Sequence, residues 1–419
     1  MLGWVDFSAE ERKRADSVLE LAKTPGAVDE IGVGVIRDGF AGRFFPGTST
    51  LHTRPRYFYL ITYIMKDVEH DPACADEQAT RRIIDGLESK TADKLIAWAE
   101  AHGEPTDGIT GRDMRARGEW VKRAPSVMDW SSLAVYGLLS DPDLKLSGYV
   151  NLVSNNSKKT SMDDADGQGI RAASGLWNVP SLPIYHTWNS GDEIPLRLYP
   201  EEAEDLRERI CRCKARPTVY SALLQCDNPA SIRDNCSSEY QSLSFIEFVE
   251  SYSGMLTDLG DCLSECQLAA EFSALSTLLH IRFNHVLREK AGVLDEQDPA
   301  YTNWVKQYKN QSRYYELACQ CDIERAFKVP GINSYGGRNK LTASFLEDAQ
   351  NAIRTGRLLD LDKLIIERER SLKTLTRSKI EHANQYCNNW FGGFELTYRF
   401  EVALKFACEI VEAARGELK

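Results

Sequence analysis

The sequence lacks the long apolar runs that identify membrane-spanning proteins. Its most apolar stretch, residues 57–65, is far shorter than the roughly 20 apolar residues that cross a bilayer as a helix. Residues 1–6 also lack the basic start and the long apolar core of a secretory signal. These absences predict a cytoplasmic protein with no membrane partner.

The sequence also has none of the short motifs that identify common catalytic sites. It contains no Gly-x-Ser-x-Gly, no Walker loop, no dinucleotide fingerprint and no His-Glu-x-x-His. The nearest glycine-rich run, residues 334–338, is not followed by Gly-Lys-Ser/Thr and indicates a turn. We therefore expect no cofactor, and a non-enzymatic role is favoured over an enzyme.

The 11 cysteines follow no recognisable zinc or disulfide spacing. Both Cys-x-Cys pairs fall within helical patterns, where residues i and i+2 point to different faces, and no Cys-x-x-Cys is present. Without an export signal these cysteines are expected to be reduced thiols that pack as small apolar side chains. We expect no metal site.

The composition is that of a folded globular chain with an excess of acid. Apolar residues make up 42% of the sequence and charged residues 27%, which argues against disorder. The net charge of −11 excludes a protein that coats nucleic acid by bulk attraction. A local positive site is compatible with this total, so the distribution of charge has to be followed along the chain.

Helical periodicity dominates the sequence and predicts a mainly α fold. We expect a helical N-terminal domain over residues 1–140, a loop-rich middle segment over 141–241 and a C-terminal helical bundle over 242–419. Ser8 and Glu11 form a capping box that predicts the first helix. Four glycines in the helical pattern of residues 28–45 suggest close packing against a neighbour. A few short strands are expected in the middle segment, at 182–185 and 194–199.

One stretch is basic within this acidic chain. Residues 39–66 contain four Lys and Arg residues and no acid, and a Pro-Gly turn is followed there by hydroxyls and arginines at a helix start. A helix start offers free backbone N–H groups, and arginine binds phosphate through two parallel hydrogen bonds. The alternative is that the hydroxyls only cap the helix and the arginines pair with acids elsewhere in the fold. The predicted phosphate contacts in this stretch are Thr48, Ser49, Thr53, Arg54 and Arg56.

Two further basic clusters follow. Residues 112–123 hold five Lys and Arg residues against two acids, and residues 368–379 hold five on one helical pattern. The later cluster is interspersed with glutamates and is most simply a solvated helix face. The earlier one precedes a proline and a tryptophan and supplies further predicted nucleic-acid contacts: Arg115, Arg117, Lys122 and Arg123.

Acids cluster in two places. Residues 185–275 hold 16 acids and 7 bases, and such a region fits a protein partner with a basic surface. Asp163, Asp164 and Asp166 follow two lysines in a polar segment, and paired carboxylates with lysine are typical of metal-dependent phosphodiester chemistry. Those acids do not lie on consecutive strands, so an exposed loop is the favoured interpretation.

Four N-terminal motifs carry a family resemblance. They are LGWVDFS at residues 2–8, VDEIGVGVIRD at 28–38, FPGTST at 45–50 and TRPRYF at 53–58. With weaker matches further on, the chain resembles one uncharacterised bacterial family, a domain of unknown function spanning nearly the whole chain. The members of this family have no established catalytic residues, so the resemblance assigns none to this chain. It implies genes found in defence islands beside helicases and phospholipase-D-like nucleases.

The resemblance and the charge pattern together predict an accessory subunit of a bacterial anti-phage defence complex. This subunit would contact DNA phosphates locally and dock a helicase or nuclease through its acidic region. Two alternatives stay open. One is a metal-dependent enzyme acting on nucleic acid through residues 163–166, and the other is a scaffold that binds only proteins.

Overall fold

The computed structural model describes residues 29–69, 71–115, 117–160, 175–179, 183–236, 244–310 and 312–416. These residues form a mainly α-helical structure, so the predicted fold class is confirmed. None of the helices in this part of the chain is both long and apolar enough to cross a bilayer. The helix predicted from the capping box at Ser8 lies outside the described residues.

The described helices are numbered here in chain order. The first eleven are Gly34–Phe44 (α1), Tyr57–Glu69 (α2), Glu77–His102 (α3), Arg112–Arg115 (α4), Pro125–Val135 (α5), Leu146–Thr160 (α6), Pro200–Arg212 (α7), Val219–Gln225 (α8), Ala230–Asn235 (α9), Phe245–Ser251 (α10) and Ser253–Thr257 (α11). The next eight are Cys262–Lys290 (α12), Pro299–Trp304 (α13), Arg313–Gln320 (α14), Ile323–Lys328 (α15), Gly337–Thr355 (α16), Leu358–Lys373 (α17), Ala383–Tyr386 (α18) and Phe400–Ala414 (α19).

The short strands expected in the middle segment are not found in the described residues. Residues Pro183–His186 form a single turn of 3₁₀ helix, and residues 194–199 are irregular. The one β-type pairing described is an isolated antiparallel bridge between Leu139 and Trp177. The runs at 182–185 and 194–199 were apolar enough to suggest strands, but no neighbouring strand pairs with their described residues.

Packing divides the described chain into two compact units. The first unit contains the described residues of Met1–Phe40 and Leu263–Tyr398, and the second contains those of Ala41–Cys262 and Arg399–Lys419. Each unit therefore joins two stretches that are distant in sequence. These boundaries differ from the three consecutive segments predicted at 1–140, 141–241 and 242–419.

The core of the second unit is built around α2. Ten of its residues are buried, including Tyr57, Phe58 and Tyr63, because the helix is apolar on nearly all sides and packs against α3 and α5. Helix α19 packs against α7 and α8. An aromatic cluster completes this core and contains Phe44, Phe45, Phe245, Phe248 and Phe400.

The first unit is built around α12. From Leu268 to Arg288 nearly every residue of this helix is buried, which is typical of a central helix surrounded by others. Helices α16 and α17 form an antiparallel hairpin, and α16 ends at Gly356 in the left-handed conformation. The buried Gln350 amide donates to the carbonyls of Ala318 and Cys321, which ties α16 to the end of α14.

The close packing predicted for the glycines of residues 28–45 is found at two of them. A Cβ on Gly39 would lie 2.6 Å from Pro330, and one on Gly32 would lie 2.7 Å from the Arg368 guanidinium. Gly42, by contrast, has no atom within 4 Å of that position. At Gly39 a side chain would displace the rigid ring of Pro330, and at Gly32 a φ of +73° favours glycine in addition to the close contact.

All the cysteines lie in the described residues, and no disulfide joins any of them. Seven of the thiols are buried and four are half-buried. Burial raises the pKa of the Cys213 and Cys236 thiols to about 11, so both are protonated at neutral pH. These cysteines pack as small side chains, as the sequence predicted.

Candidate functional site

The hydroxyl residues of the predicted phosphate turn are engaged within the protein. The buried Thr48 hydroxyl donates to the Phe45 carbonyl at 2.6 Å, and the Thr48 carbonyl accepts from Arg399 at 2.5 Å. The Ser49 amide donates to Nδ1 of His52 at 3.2 Å. These contacts close the turn on itself around Thr48 and Ser49.

Arg54 is held by two partners. Its Nε and Nη2 donate to the Asp107 carbonyl at 3.1 and 2.9 Å, and its Nη1 lies 3.2 Å from the Glu409 carboxylate. The neighbouring Thr53 carbonyl accepts from Lys405 at 2.9 Å. Both residues therefore connect the turn to α19 and to the loop before α4.

Arg56 is a buried structural cation. Its residue surface is 1% exposed, and its Nη1 donates to the carbonyls of Pro195 and Arg197, at 2.6 Å to the latter. Its Nε lies 3.4 Å from Glu202 without a well-aligned hydrogen bond, and its guanidinium lies 4.5 Å from the Tyr199 ring centroid. Arg56 fixes the irregular segment before α7 against α2.

The expectation that Arg54 and Arg56 point outward to a phosphate is therefore corrected. Arg54 is paired with Glu409 and Arg56 with Glu202. Both glutamates are far away in the sequence, so residue spacing could not predict these ion pairs. The alternative interpretation, that the arginines pair with acids elsewhere in the fold, describes their geometry. Thr48, Ser49, Thr53, Arg54 and Arg56 are brought together, but as a structural junction.

The second basic cluster divides into paired and unpaired cations. Arg115 forms two parallel hydrogen bonds to Asp93 at 2.8 and 2.6 Å, and Arg112 contacts Asp107 and Asp113, each at 3.0 Å. The remaining cations are exposed and have no ion pair or hydrogen bond to any described residue: Arg117, Lys122 and Arg123.

Two anchors hold this segment along α3. At one end is the Arg115–Asp93 pair, and at the other the Ser126 amide donates to Glu88 at 2.7 Å. Arg82 lies about three helical turns before Asp93 on α3, so these two residues share one face of the helix. Arg81 lies about two turns before Glu88 and shares a face with it in the same way. Both are exposed. We call the following set the basic surface: Arg81, Arg82, Arg117, Lys122 and Arg123.

A buried acidic pair lies beside the basic surface. Glu88 and Asp129 are each 3% exposed, and each has one carboxylate oxygen without a hydrogen bond from the described residues. Burial raises the pKa of Glu88 to about 7 and raises that of Asp129 well above its usual range. Burial also lowers the pKa of His52 to about 4, so its imidazole is neutral where it approaches Asp129 at 3.1 Å.

Replacing Glu88 with glutamine should remove a pH dependence of stability. Because the folded pKa of about 7 lies above the ordinary 4.5, the contribution of Glu88 to stability is present at low pH and is lost as pH rises through 7. Between pH 5.5 and 8.5, the loss of the Glu88 contribution should lower the free energy of unfolding of the wild type by about 2 kcal/mol. Urea unfolding at the two pH values should show a fall in stability that is about 2 kcal/mol smaller in Glu88→Gln than in the wild type, because only the titration of Glu88 is removed. Equal pH dependence in both proteins would contradict it.

The third basic cluster is not a solvated helix face throughout. Arg368 is buried, and both Lys373 and Lys379 donate to one carboxylate oxygen of Glu30. Arg370 pairs with Glu381 at the exposed edge of the helix. This correction could not be made from sequence, because the partner of the two lysines lies more than 300 residues away.

One group of metal-ligating residue types occurs in the described residues: Asp29, Glu30 and His280, with ligand atoms within 4.8 Å of one another. Both ring nitrogens of His280 are engaged, Nδ1 with the Ser276 carbonyl at 2.8 Å and Nε2 with Asp29 at 3.0 Å. Neither nitrogen retains a lone pair for an ion, because the imidazole donates at both. The sequence analysis did not identify this cluster, since His280 is a single histidine in a helical pattern.

The acids of the alternative enzymatic hypothesis, Asp163, Asp164 and Asp166, lie outside the described residues. The described residues therefore do not bear on that hypothesis. The phosphate-contact hypothesis rests on the three unpaired cations alone.

The N-terminal part of the chain is similar to a known family. A family of unknown function, DUF6361, matches residues 1–166. The resemblance to an uncharacterised family is thus confirmed over this stretch, whereas it was expected over nearly the whole chain. No curated protein and no solved structure matches the chain. The description of this family assigns no activity, so function has to be argued from geometry.

Proposed function

We propose that this chain is an accessory subunit of a bacterial anti-phage defence complex whose basic surface contacts nucleic-acid phosphates. One observation carries the proposal. Arg117, Lys122 and Arg123 lie within seven residues and are exposed, and no described acid pairs with them, in a protein of net charge −11.

The lack of acidic partners at Arg117, Lys122 and Arg123 matters because most of the arginines predicted to contact phosphate form ion pairs within the chain. Three of the five predicted arginines, Arg54, Arg56 and Arg115, have acidic partners, and so does the neighbouring Arg112. An unpaired cation can bind a phosphate without first breaking an ion pair, and it releases a counterion from the nucleic acid when it does so. The exposed acids nearest in sequence to the basic surface are Asp85 and Glu119.

The docking of a protein partner is assigned to the acidic region of residues 185–275. Several of its acids pair with arginines of the same unit, for example Asp205 with Arg209 at 2.7 Å and Glu208 with Arg212 at 3.1 Å. Six are exposed and have no described ion pair, so they are available to a basic partner surface. These acids are Asp192, Glu193, Glu201, Asp234, Glu247 and Asp258.

The test is binding of fluorescent duplex DNA and single-stranded DNA across a range of salt concentrations. The variant Arg117→Gln, Lys122→Gln, Arg123→Gln should bind duplex DNA about 10–100-fold more weakly at low salt. The slope of log K against log salt should become shallower by about 2–3, because up to three phosphate contacts are lost.

The control removes the same net charge elsewhere. Lys214, Lys328 and Lys340 are exposed, and the variant with glutamine at all three should keep the wild-type affinity and slope. Equal loss in both variants would mean bulk attraction and would contradict the proposal. No retention of either DNA at low salt would favour the scaffold that binds only proteins.

A further inference from the structure

Two lysine ammonium groups converge on a single carboxylate oxygen in the first unit. Lys373 donates to Oε1 of Glu30 at 2.6 Å, and Lys379 donates to the same atom. Two Nζ atoms that share one acceptor lie within about 6 Å of each other. Each ammonium has three N–H groups and one hydrogen-bond acceptor among the described residues, and the Lys379 ammonium also lies 3.6 Å from the Phe391 ring centroid. Both ammonium groups therefore retain at least one N–H without an acceptor among these residues.

A third cation, Arg368, binds the residue that follows Glu30 and has no counterion among the described residues. Arg368 is 7% exposed, its Nε donates to the Ile31 carbonyl at 3.0 Å and its Nη2 to the Thr342 hydroxyl at 2.6 Å. Both acceptors are neutral. No described carboxylate lies within ion-pair distance of this guanidinium.

The local charges do not balance. His280 counts as a cation because its Nδ1 donates to the Ser276 carbonyl and its Nε2 to the Asp29 carboxylate. With Arg368, Lys373 and Lys379 it makes four cations, against the three carboxylates of Asp29, Glu30 and Glu369. All of them are buried or nearly so, and buried charges are ordinarily paired because their desolvation is costly. The described residues therefore leave a surplus of positive charge at this place.

We propose that Arg368, Lys373 and Lys379 form a binding site for a phosphoryl group, carried by free phosphate or by a nucleotide. A phosphoryl group supplies both the missing negative charge and several acceptor oxygens for the free N–H groups. A metal ion is disfavoured at the same place, because it would add to the positive surplus and would find no free lone pair on His280. Solvent reaches the side chains of Asp29 and Lys379, which are 18% and 16% exposed.

This site is distinct from the basic surface. Its residues all belong to the first unit, whereas the basic surface belongs to the second. The two proposals can therefore fail separately. The variant of Arg117, Lys122 and Arg123 should keep its response to phosphate, and the variants below should keep their affinity for DNA.

The experiment is thermal unfolding of the full chain with inorganic phosphate, or with ATP, against sodium chloride at equal ionic strength. At ten times the dissociation constant, the anion should raise Tm of the full chain by about 2 °C. If ATP raises Tm more than inorganic phosphate does at the same molar concentration, the phosphoryl group is assigned to a nucleotide. An equal or smaller rise in Tm with ATP assigns it to free phosphate. Calorimetric titration of the same anions should give the same order of affinity.

The variants are Lys373→Gln and Lys379→Gln, each of which leaves one ammonium on Glu30. Each variant should weaken anion binding about tenfold. The control is Lys363→Gln, which changes an exposed lysine of α17, the helix that contains Lys373, and should leave anion binding unchanged. Absence of any shift beyond that of chloride would overturn the proposal. An anion response that is equal in wild type and both variants would also overturn it.

Discussion

Replacing Arg56 with alanine should lower the free energy of unfolding by about 3–5 kcal/mol. The change leaves Glu202, which is 0% exposed, without its cation and removes the donor of the Pro195 and Arg197 carbonyls. The penalty is large because an uncompensated buried carboxylate has neither water nor an opposite charge around it. Urea unfolding at neutral pH measures it directly.

Two further variants separate charge from geometry. Arg56→Lys keeps the charge but cannot reach the carboxylate and both carbonyls together, so its loss should be intermediate. Arg54→Ala should lose only about 1–2 kcal/mol, since its ion pair with Glu409 is partly solvated. A loss below about 1 kcal/mol for Arg56→Ala would show that the pair is not buried in solution. If a folded Arg54→Ala protein binds DNA more weakly than the wild type, the original hypothesis that this turn contacts phosphate would be supported again.

The helical pattern predicted which regions are helical better than where helices end. Apolar periodicity predicts separate helices at residues 75–87 and 91–102, but both stretches belong to one helix, α3, because the polar Glu88 between them is buried and accepts from the Ser126 amide. The periodicity also predicts a helix over residues 110–122, but only α4 is helical there, since Gly111 and Gly118 adopt positive φ on either side of it. Local polarity was therefore misleading wherever a tertiary contact satisfied the polar group.

Charge position in the sequence predicted only part of the candidate site. Arg54, Arg56, Lys373 and Arg117 are all found in runs of bases, and only the last is exposed and unpaired. The difference is set by acids that folding brings from remote positions, such as Glu30 to Lys373. Spacing along one sequence contains no information about those pairings, so it could place cations but could not tell a free one from a paired one.

The second large effect is expected at the start of the described chain. Asp29 accepts from His280 at 3.0 Å and from the amides of Ile31 and Val33 at 3.2 and 2.9 Å. Asp29→Ala should destabilise the protein by about 3–4 kcal/mol near pH 5.5, because it leaves a buried imidazolium and two amides unpaired. Asp29→Asn keeps an acceptor oxygen and should lose less.

The pH dependence of this effect identifies the charge on His280. The Asp29 hydrogen bond and charge raise the pKa of His280 above 6.5 despite burial, so its contribution is present below that pH and is lost as pH rises through the raised pKa. Those same contacts hold the pKa of Asp29 well below its usual range, so its contribution is lost only in strong acid. The destabilisation by Asp29→Ala should therefore shrink between pH 5.5 and 9, as the imidazole of the wild type becomes neutral. A destabilisation that is constant over this range, measured by urea unfolding, would mean that His280 is neutral throughout and that the local positive surplus is absent.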